Sequence, residues 1–186
     1  MKILVPADNY PENHWVKYDH AHNVDYMEFS TGKKIHGDVA SVIFNVKGRV
    51  SIASIKSYDY LFSDGPDVVS AHCARLLRDK CPEDIQLLPA KIIVNDEVAG
   101  EYFVLNILNK DFAFDMKNCV YVPLIKTMPD GPKKFKKISL LNKVPAFDIF
   151  RASESRFYVV LSDRLAQNLE AESVKGIRFV PDLDEL

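Results

Sequence analysis

The chain has 186 residues, of which 47% are hydrophobic and 11% aromatic, so it can bury a full core and does not belong to the disordered class. Its net charge of −2 at pH 7 argues against a nucleic-acid binder and gives no support for a membrane-surface protein. Its three cysteines, Cys73, Cys81 and Cys119, have unrelated spacings, which predicts reduced thiols in a cytoplasmic protein rather than a disulfide framework.

The first part of the chain, residues 1–57, is predicted to be rich in β-strand. The apolar run at residues 3–5 is ended by Pro6 and is too short for a secretory signal or a membrane span. β-Branched and aromatic runs at residues 24–29, 39–46 and 50–55 predict three strands, the last two of them joined by a tight hairpin turn.

The strongest pattern in the sequence is a unit that occurs twice without a gap, at residues 68–89 and 160–181. Three apolar positions match between the copies: Ala74 with Ala166, Leu77 with Leu169, and Ile85 with Ile177. The apolar face of a short helix and the start of the following strand therefore recur together. We predict two similar strand-helix-strand units, and the sequence leaves open whether they arose by duplication.

The helices of the two units are predicted over residues 71–80 and 163–172. Ser70 and Ser162 precede them as N-caps, where a side-chain oxygen accepts a hydrogen bond from a free amide of the first turn. Helices of about three turns are too short to be stable alone in water, so we expect both to pack on a sheet.

The rest of the chain is read mostly as strand. Further apolar runs predict strands at residues 58–62, 85–88, 101–108, 120–125, 138–141, 146–150, 157–161 and 177–180. Short connections between them favour an α+β fold of mostly antiparallel sheets with a few short helices. We expect a single domain over residues 1–186, in which a β-rich part, residues 1–57, packs on residues 58–181.

Polar residues that interrupt these runs have mainly structural explanations. Asn106, within an apolar run, is expected to be a buried and hydrogen-bonded residue. The basic run 133–137 is expected to be a solvated loop that leads into an edge strand, in preference to a contact with a nucleic-acid backbone. The acidic end, with Asp182, Asp184 and Glu185, is predicted to be a solvated tail.

No catalytic, metal or cofactor site is predicted from the residues. His14, His20 and His22 lie near Asp19 and Asp25, but this group has no second set of ligands, so we interpret the histidines as solvated loop residues.

Nucleophilic and phosphate-binding motifs are missing as well. On a helix, Cys73 and His72 point apart, which argues against a cysteine nucleophile. The sequence has neither a glycine-rich phosphate loop nor a nucleophile elbow, so we do not expect an enzyme. The charged residues Asp148, Arg151, Glu154 and Arg156 form either a polar site or, as we favour, a charged turn.

Five mostly apolar segments form a further pattern: 102–107, 114–115, 147–151, 160–165 and 176–179. Together they resemble a bacterial family of immunity proteins, the eleventh class in polymorphic toxin systems, which was once described as a domain of unknown function. The resemblance covers about residues 58–181, with a weaker echo at Phe29 and Gly32.

The resemblance implies a cytoplasmic protein that binds a cognate toxin and blocks it in the producing cell, and it brings no catalytic residues. If the toxin is a nuclease, the acidic C-terminal residues are expected to meet its basic cleft. Trp15 and Tyr18, in the loop 10–22, are alternative aromatic anchors, and a core role for Trp15 stays equally open. Asp148, Arg151 and Glu154 are further candidates for contact with the partner.

Two other functions stay open at this point. One is an enzyme whose site lies between the two repeated units, where Asp148 and Arg151 would meet groups near Asp64. The other is an adaptor that binds a secreted effector without inhibiting it. A toxicity-rescue assay separates an adaptor from an immunity protein, because only the latter restores growth.

Overall fold

Each copy of the repeated unit contributes two strands to one of two large sheets. The computed structural model describes residues 1–37 and 41–184 of the chain. Its strands are β1 (Lys2–Pro6), β2 (Val16–Tyr18), β3 (Val42–Val46), β4 (Tyr60–Leu61), β5 (Val68–Ser70), β6 (Ile85–Val94), β7 (Glu97–Val98), β8 (Tyr102–Ile107), β9 (Lys110–Asp111), β10 (Val120–Pro123), β11 (Lys133–Ser139), β12 (Ile149–Ala152), β13 (Val159–Leu161), β14 (Ile177–Val180) and β15 (Asp182–Asp184). Its helices are α1 (Ile52–Lys56), α2 (Ala71–Lys80) and α3 (Asp163–Ala171), with 3-10 segments at Glu12–His14 and Tyr26–Ser30.

The strands form three sheets, and the predicted α+β class is confirmed. The first sheet has the order β14-β1-β13-β12-β9, the second β2-β3-β6-β8-β5-β4 with β7 added beside β6, and the third β10-β11-β15. Among the described strands only the pairs β9–β12 and β3–β6 are parallel. Strands from residues 1–57 enter both large sheets, since β1 belongs to the first and β2 and β3 to the second.

The two repeated units have the same topology and the same register. In each, a helix joins two strands that flank a third, antiparallel strand, which is β8 in the first unit and β1 in the second. The registers correspond position by position: Val104 of β8 pairs with Val68 and Leu88, and Ile3 of β1 pairs with Val160 and Val180. The flanking residues are twenty positions apart in both units. A fourth strand extends each unit, β4 beside β5 and β12 beside β13.

Both predicted helix caps are confirmed. The Ser70 hydroxyl oxygen accepts a hydrogen bond from the amide of Cys73, and the Ser162 hydroxyl oxygen accepts one from the amide of Leu165. Each bond satisfies one of the free amides of the first helical turn.

An aspartate side chain accepts a hydrogen bond from each capping serine, so the two units resemble each other beyond the residues that match in sequence. Asp59 accepts a hydrogen bond from the first capping serine and lies 3.2 Å from Nδ1 of His72. Asp148 accepts one from the second capping serine and pairs with Arg164, which occupies the same helical position as His72. The two aspartates thus connect the fourth strand of each unit to the start of its helix.

Replacement of Asp148 with asparagine is expected to lower the free energy of unfolding at pH 7 by about 1–2 kcal/mol, because a charged acceptor is lost. Burial by itself raises the pKa of Asp148, but hydrogen bonds from Ser162 and Arg164 outweigh it and hold the pKa below its usual value of 3.8. A lowered pKa in the folded state stabilises the fold above the unfolded pKa, and this stabilisation is lost as the pH falls through the folded value.

Urea unfolding at several pH values measures this effect. The difference between wild type and Asp148→Asn is expected to be largest near neutral pH and to shrink below about pH 4. Asp79→Asn is the matched control, since Asp79 is exposed and pairs only with its neighbour Lys80. Equal losses in the two variants at pH 7 would contradict a bracing role for Asp148.

Three apolar clusters hold the sheets together. The largest encloses α2 and α3 between the two large sheets, with Leu77 and Leu169 from the helices and Leu105 and Leu161 from the strands. A second cluster covers the other face of the second sheet, and a third packs the first sheet on the third sheet. Burial of these side chains is the main stabilising contribution to the two short helices.

Two predicted strands are helical in the structure, because polar side chains cap helices there. Residues 24–29 contain a 3-10 segment, in which Oδ1 of Asp25 accepts a hydrogen bond from the amide of Met27 at 2.9 Å. Residues 50–55 contain α1, in which the Ser51 hydroxyl accepts one from the amide of Ser54. The predicted hairpin therefore leads from a strand into a helix.

The expectations for the basic run and for the acidic end are also wrong. Residues 133–137 belong to β11, which is the central strand of the third sheet, with Phe135 buried between the lysines. The acidic end contributes β15, which pairs with β11, and Asp184 lies 3.2 Å from the Lys137 ammonium group. Packing of Phe135, Ile138 and Leu183 in the third apolar cluster, together with this exposed charge pair, accounts for both differences. Glu185 and the first residues of the predicted strand 39–46 lie outside the described residues.

Asn106 has the structural role that its position predicts. It is fully buried in β8, and its amide nitrogen donates to the Lys33 carbonyl and to the Gln86 side chain, both at 2.9 Å. Gln86 in turn holds the backbone of Ile35 by two hydrogen bonds. The two side chains thereby attach the segment 33–35 to the second sheet.

Candidate binding surface around Phe157

Phe157 lies in the turn between β12 and β13 and points into solvent. The turn is closed by backbone hydrogen bonds that join Ala152, Ser155 and Tyr158. These bonds fix the backbone on both sides of the Phe157 ring, which has 80% of its surface exposed. A large apolar side chain held in water by an ordered turn is a candidate contact residue.

Two hollows meet at this ring. The first, the Arg151 cleft, has a volume of about 240 Å³ and lies between the 3-10 segment Tyr26–Ser30, the turn 63–66 and Arg151. The second, the Lys133 hollow, has a volume of about 380 Å³ and lies between Lys110, the β10–β11 hairpin and the turn 153–157. Both are lined by Arg156 and Phe157. We call the ring and the two hollows together the Phe157 surface.

Arg151 is the buried base of the first hollow. Only 8% of its surface is exposed, its Nη1 donates to the carbonyl of Arg156 at 2.9 Å, and its buried Nε has no hydrogen-bond partner. The charge of Arg151 lowers the pKa of nearby Asp67, although burial, the larger effect, raises that pKa. Asp67 itself accepts a hydrogen bond from the Tyr60 hydroxyl at 2.8 Å.

Further cations surround Arg151. The Arg156 guanidinium lies on the rim, with Nη1 3.2 Å from the Ser30 hydroxyl oxygen. The pKa of Lys110 is lowered, first by burial and then by the charges of Arg156, Arg151 and Lys33. The charges of Arg156, Arg151 and Lys33 therefore all act on Lys110, where they favour the neutral amine.

The carboxylates of the same surface already accept hydrogen bonds from other parts of the chain. Glu154 accepts hydrogen bonds from the backbone amides of Ala113 and Phe114 at 2.8–3.2 Å. Asp64 accepts one from the amide of Tyr18 at 2.8 Å and lies 3.3 Å from the Lys17 ammonium group. Four cations, Lys110, Lys133, Arg151 and Arg156, line the two hollows against these two carboxylates, so the Phe157 surface is basic although the whole chain has a net charge of −2.

The four charged residues expected to form a charged turn in preference to a polar site are divided between different places. Glu154 and Arg156 lie in the turn 153–157, Arg151 belongs to β12, and Asp148 precedes that strand. Arg151 and Glu154 belong to the Phe157 surface, and Asp64 lines the same cleft as Arg151. Asp148 instead braces α3, and its amide donates to the Asp84 carboxylate at 2.8 Å. The enzyme site expected from Asp148, Arg151 and Asp64 is thus assembled only in part.

The two aromatic anchors expected in residues 10–22 differ in exposure. Trp15 is 40% exposed and packs its ring on Phe62, with 5.3 Å between the ring centroids. Tyr18 is only 4% exposed, because it belongs to β2 and its hydroxyl donates to the Val24 carbonyl. The expectation of an exposed Tyr18 is wrong, whereas Trp15 stays a candidate contact outside the Phe157 surface.

The histidines near the N-terminus have separate surroundings. His14 is buried, with Nε2 2.8 Å from the Ser54 hydroxyl, so the expectation that it is solvated is wrong. His22 is exposed and lies 2.9 Å from Asp19. Within residues 1–37 and 41–184, no three His, Cys, Asp or Glu side chains are grouped in a way that could hold a metal ion.

The cysteines are expected to differ in reactivity. Burial raises the pKa of Cys73, and it raises that of Cys81 to about 12, so few of these thiols are ionised at neutral pH. Cys119 is only partly buried.

We expect iodoacetamide to alkylate Cys119 at least about tenfold faster than the other two, as followed by peptide mass spectrometry. In urea the three rates should converge, and an equally fast reaction of Cys73 in the native protein would contradict its burial.

Sequence reasoning missed the central residue of this surface. Phe157 is expected at the start of a strand over 157–161, but the strand begins at Val159 and Phe157 lies in the preceding turn. The polar residues of 153–156 are the only local sign of that turn.

Within the part of the chain that the structure describes, no helix combines the length and the apolar character needed to cross a bilayer. The chain matches no protein-family model and no curated protein in the comparisons made. The resemblance to immunity proteins therefore stays a prediction.

Proposed function

We propose that the chain is an immunity protein that binds a cognate bacterial toxin in the cytoplasm of the producing cell and neutralises it through the Phe157 surface. The observation that carries the proposal is the exposure of Phe157 between two hollows on an ordered turn. The family resemblance of residues 58–181 supplies the class of partner.

The composition of the surface supports contact with a protein. Aromatic and arginine side chains are the residues most enriched at energetic hot spots, and Phe157 lies next to Arg156 with Tyr26 on the cleft wall. Leu124, which is also exposed, lines the hollow on the other side of the ring. An apolar centre with a charged rim is the usual arrangement of a protein–protein interface.

Growth rescue tests the proposal. The product of the gene adjacent to this one is induced in cells that carry the chain or an empty vector, and viability and co-purification are measured together. We expect the chain to restore growth and to form a stable complex with that product. Rescue without a complex would favour the enzyme alternative, and a complex without rescue would favour the adaptor. If the chain neither restores growth nor forms a complex, the immunity proposal is contradicted.

A further inference from the structure

We infer that the Arg151 cleft binds a carboxylate group, which an acidic segment of the partner protein carries into the cleft next to an apolar side chain. The assignment of this carboxylate to a partner protein rests on the proposed function. The preference for a carboxylate follows from the charges of the cleft itself.

The cations of the Phe157 surface have no carboxylate partners among the described residues. No carboxylate oxygen there lies within 4.0 Å of the side-chain nitrogens of Lys110, Arg151 or Arg156. Six lysine and arginine side chains elsewhere do have such partners: Lys17, Lys80, Lys137, Lys143, Arg164 and Arg178. Among the lysines and arginines of the described residues, Arg151 stands apart because it is buried and still has no carboxylate partner within this distance.

The acidic groups nearby do not pair directly with these cations. Glu154 is held by two backbone amides, and Asp64 by Lys17 and a backbone amide. Asp67 offsets part of the Arg151 charge, but its carboxylate forms a hydrogen bond with Tyr60 rather than with Arg151. A carboxylate from outside would complete the pairing.

Arg151 is prepared for such a ligand. The side chain is more than nine-tenths buried, lines the cleft, and is held in place by the hydrogen bond from Nη1 to the Arg156 carbonyl. A planar guanidinium forms its strongest hydrogen bonds with a carboxylate, and a side chain that is already ordered loses little entropy on binding. Exposed Arg156 adds a second cation at the mouth of the cleft.

The walls of the cleft select what accompanies the carboxylate. Tyr26, Phe29 and Phe157 line the same cleft as Arg151 and give it aromatic surface. Apolar walls lower the local dielectric constant and strengthen the attraction between guanidinium and carboxylate. An acidic residue beside an apolar residue matches both features. An acidic partner segment has the opposite charge to the basic nuclease cleft considered in the sequence analysis. Asp184, which was expected to meet such a cleft, pairs with Lys137 instead.

Nuclear magnetic resonance titration of the isotopically labelled full chain tests the cleft directly. The probe is the peptide acetyl-Glu-Phe-Glu-amide, with acetyl-Gln-Phe-Gln-amide as its neutral match and acetate as the free carboxylate. We expect saturable shifts of the side-chain Nε–H signals of Arg151 and Arg156 and of the Phe157 amide with the acidic peptide. The neutral peptide should bind at least about tenfold more weakly.

Variants show whether the cleft is responsible. Arg156 lines the cleft, Lys110 lines the adjoining Lys133 hollow, and both side chains are exposed. The double variant Lys110→Gln/Arg156→Gln should therefore fold and should bind the acidic peptide at least about tenfold more weakly. Arg178→Gln, which removes an exposed arginine paired with Asp8, is the control and should bind like wild type. Equal binding of the acidic and neutral peptides, or an unchanged double variant, would overturn the inference.

Two further outcomes separate the source of the carboxylate from the proposed function. If acetate binds as tightly as the acidic peptide, the site takes a free carboxylate and the assignment to a partner segment is overturned. If the double variant loses the peptide but rescues growth like wild type, that assignment is overturned while immunity stands. If wild type fails to rescue growth, the proposed function fails, yet selective peptide binding still supports the carboxylate site.

Discussion

Replacing Gly176 with alanine is expected to lower the free energy of unfolding by about 3 kcal/mol or more. Gly176 has a φ of +107°, and a Cβ added there would lie 2.5 Å from the carbonyl oxygen of Tyr60. The Tyr60 backbone cannot move away freely, because its amide is bonded to the Lys175 carbonyl at 3.0 Å. Backbone strain and atomic overlap therefore add at the point where the turn of the second unit meets β4 of the first.

Gly48→Ala separates these two costs. Gly48 also has a positive φ, +91°, but an added Cβ would have no atom within 4 Å. This variant should lose only the conformational part, about 1 kcal/mol. Urea unfolding of the two variants and of wild type measures the difference. Equal losses would show that the close approach of Gly176 to Tyr60 contributes nothing to stability.

Replacing Phe157 with aspartate is expected to weaken binding of the partner at least about 100-fold without changing the fold. The change removes the exposed ring between the two hollows. It also places a carboxylate beside Arg156, where it would compete with the acidic group of the partner. Because the ring is exposed, the free energy of unfolding should change by no more than about 0.5 kcal/mol.

Val144→Asp is the matched control for this experiment. Val144 is 92% exposed and lines a different hollow, next to Pro145 and Ser162. Affinities of the purified variants for the product of the adjacent gene are compared by calorimetry, together with growth rescue. Loss of affinity in both variants, or in neither, would contradict a specific role for Phe157.

The repeated unit could be predicted from sequence because its signals are local. The matched leucines and the capping serines recur at the same spacing, and the structure confirms both helices and both caps. The third strand of each unit could not be placed in this way. β8 follows its unit in the chain, whereas β1 comes from the start of the chain, and only tertiary pairing gives them equivalent places.

Strand propensity failed where a short polar side chain began a helix. The apolar runs at residues 24–29 and 50–55 resemble strands, but Asp25 and Ser51 offer hydrogen bonds that start a helical turn. A capping residue at the start of such an apolar run therefore indicates a helical turn rather than a strand. The acidic end joined β11 for a different reason: Leu183 packs on the third apolar cluster, and Asp184 pairs with Lys137 across the strands.

The candidate site could be predicted only in part. Arg151, Glu154 and Arg156 are close in sequence, and their charges marked them as candidates. Tyr26, Lys110 and Leu124 come to the same surface from three other segments, and no local pattern connects them. The exposure of Phe157 depends on the turn that holds it, so an apolar residue next to a strand was indistinguishable from a core residue in the sequence.

Hydrogen-exchange mass spectrometry of the chain, alone and with the product of the adjacent gene, tests the central claim most directly. Protection on binding is predicted for amides in residues 24–30, 63–66, 110–112, 124–133 and 151–158, which form or border the Phe157 surface. Little change is predicted for residues 10–15, around Trp15, and for residues 142–148. Protection confined to those two segments, or no protection anywhere, would contradict the claim that this surface binds the toxin.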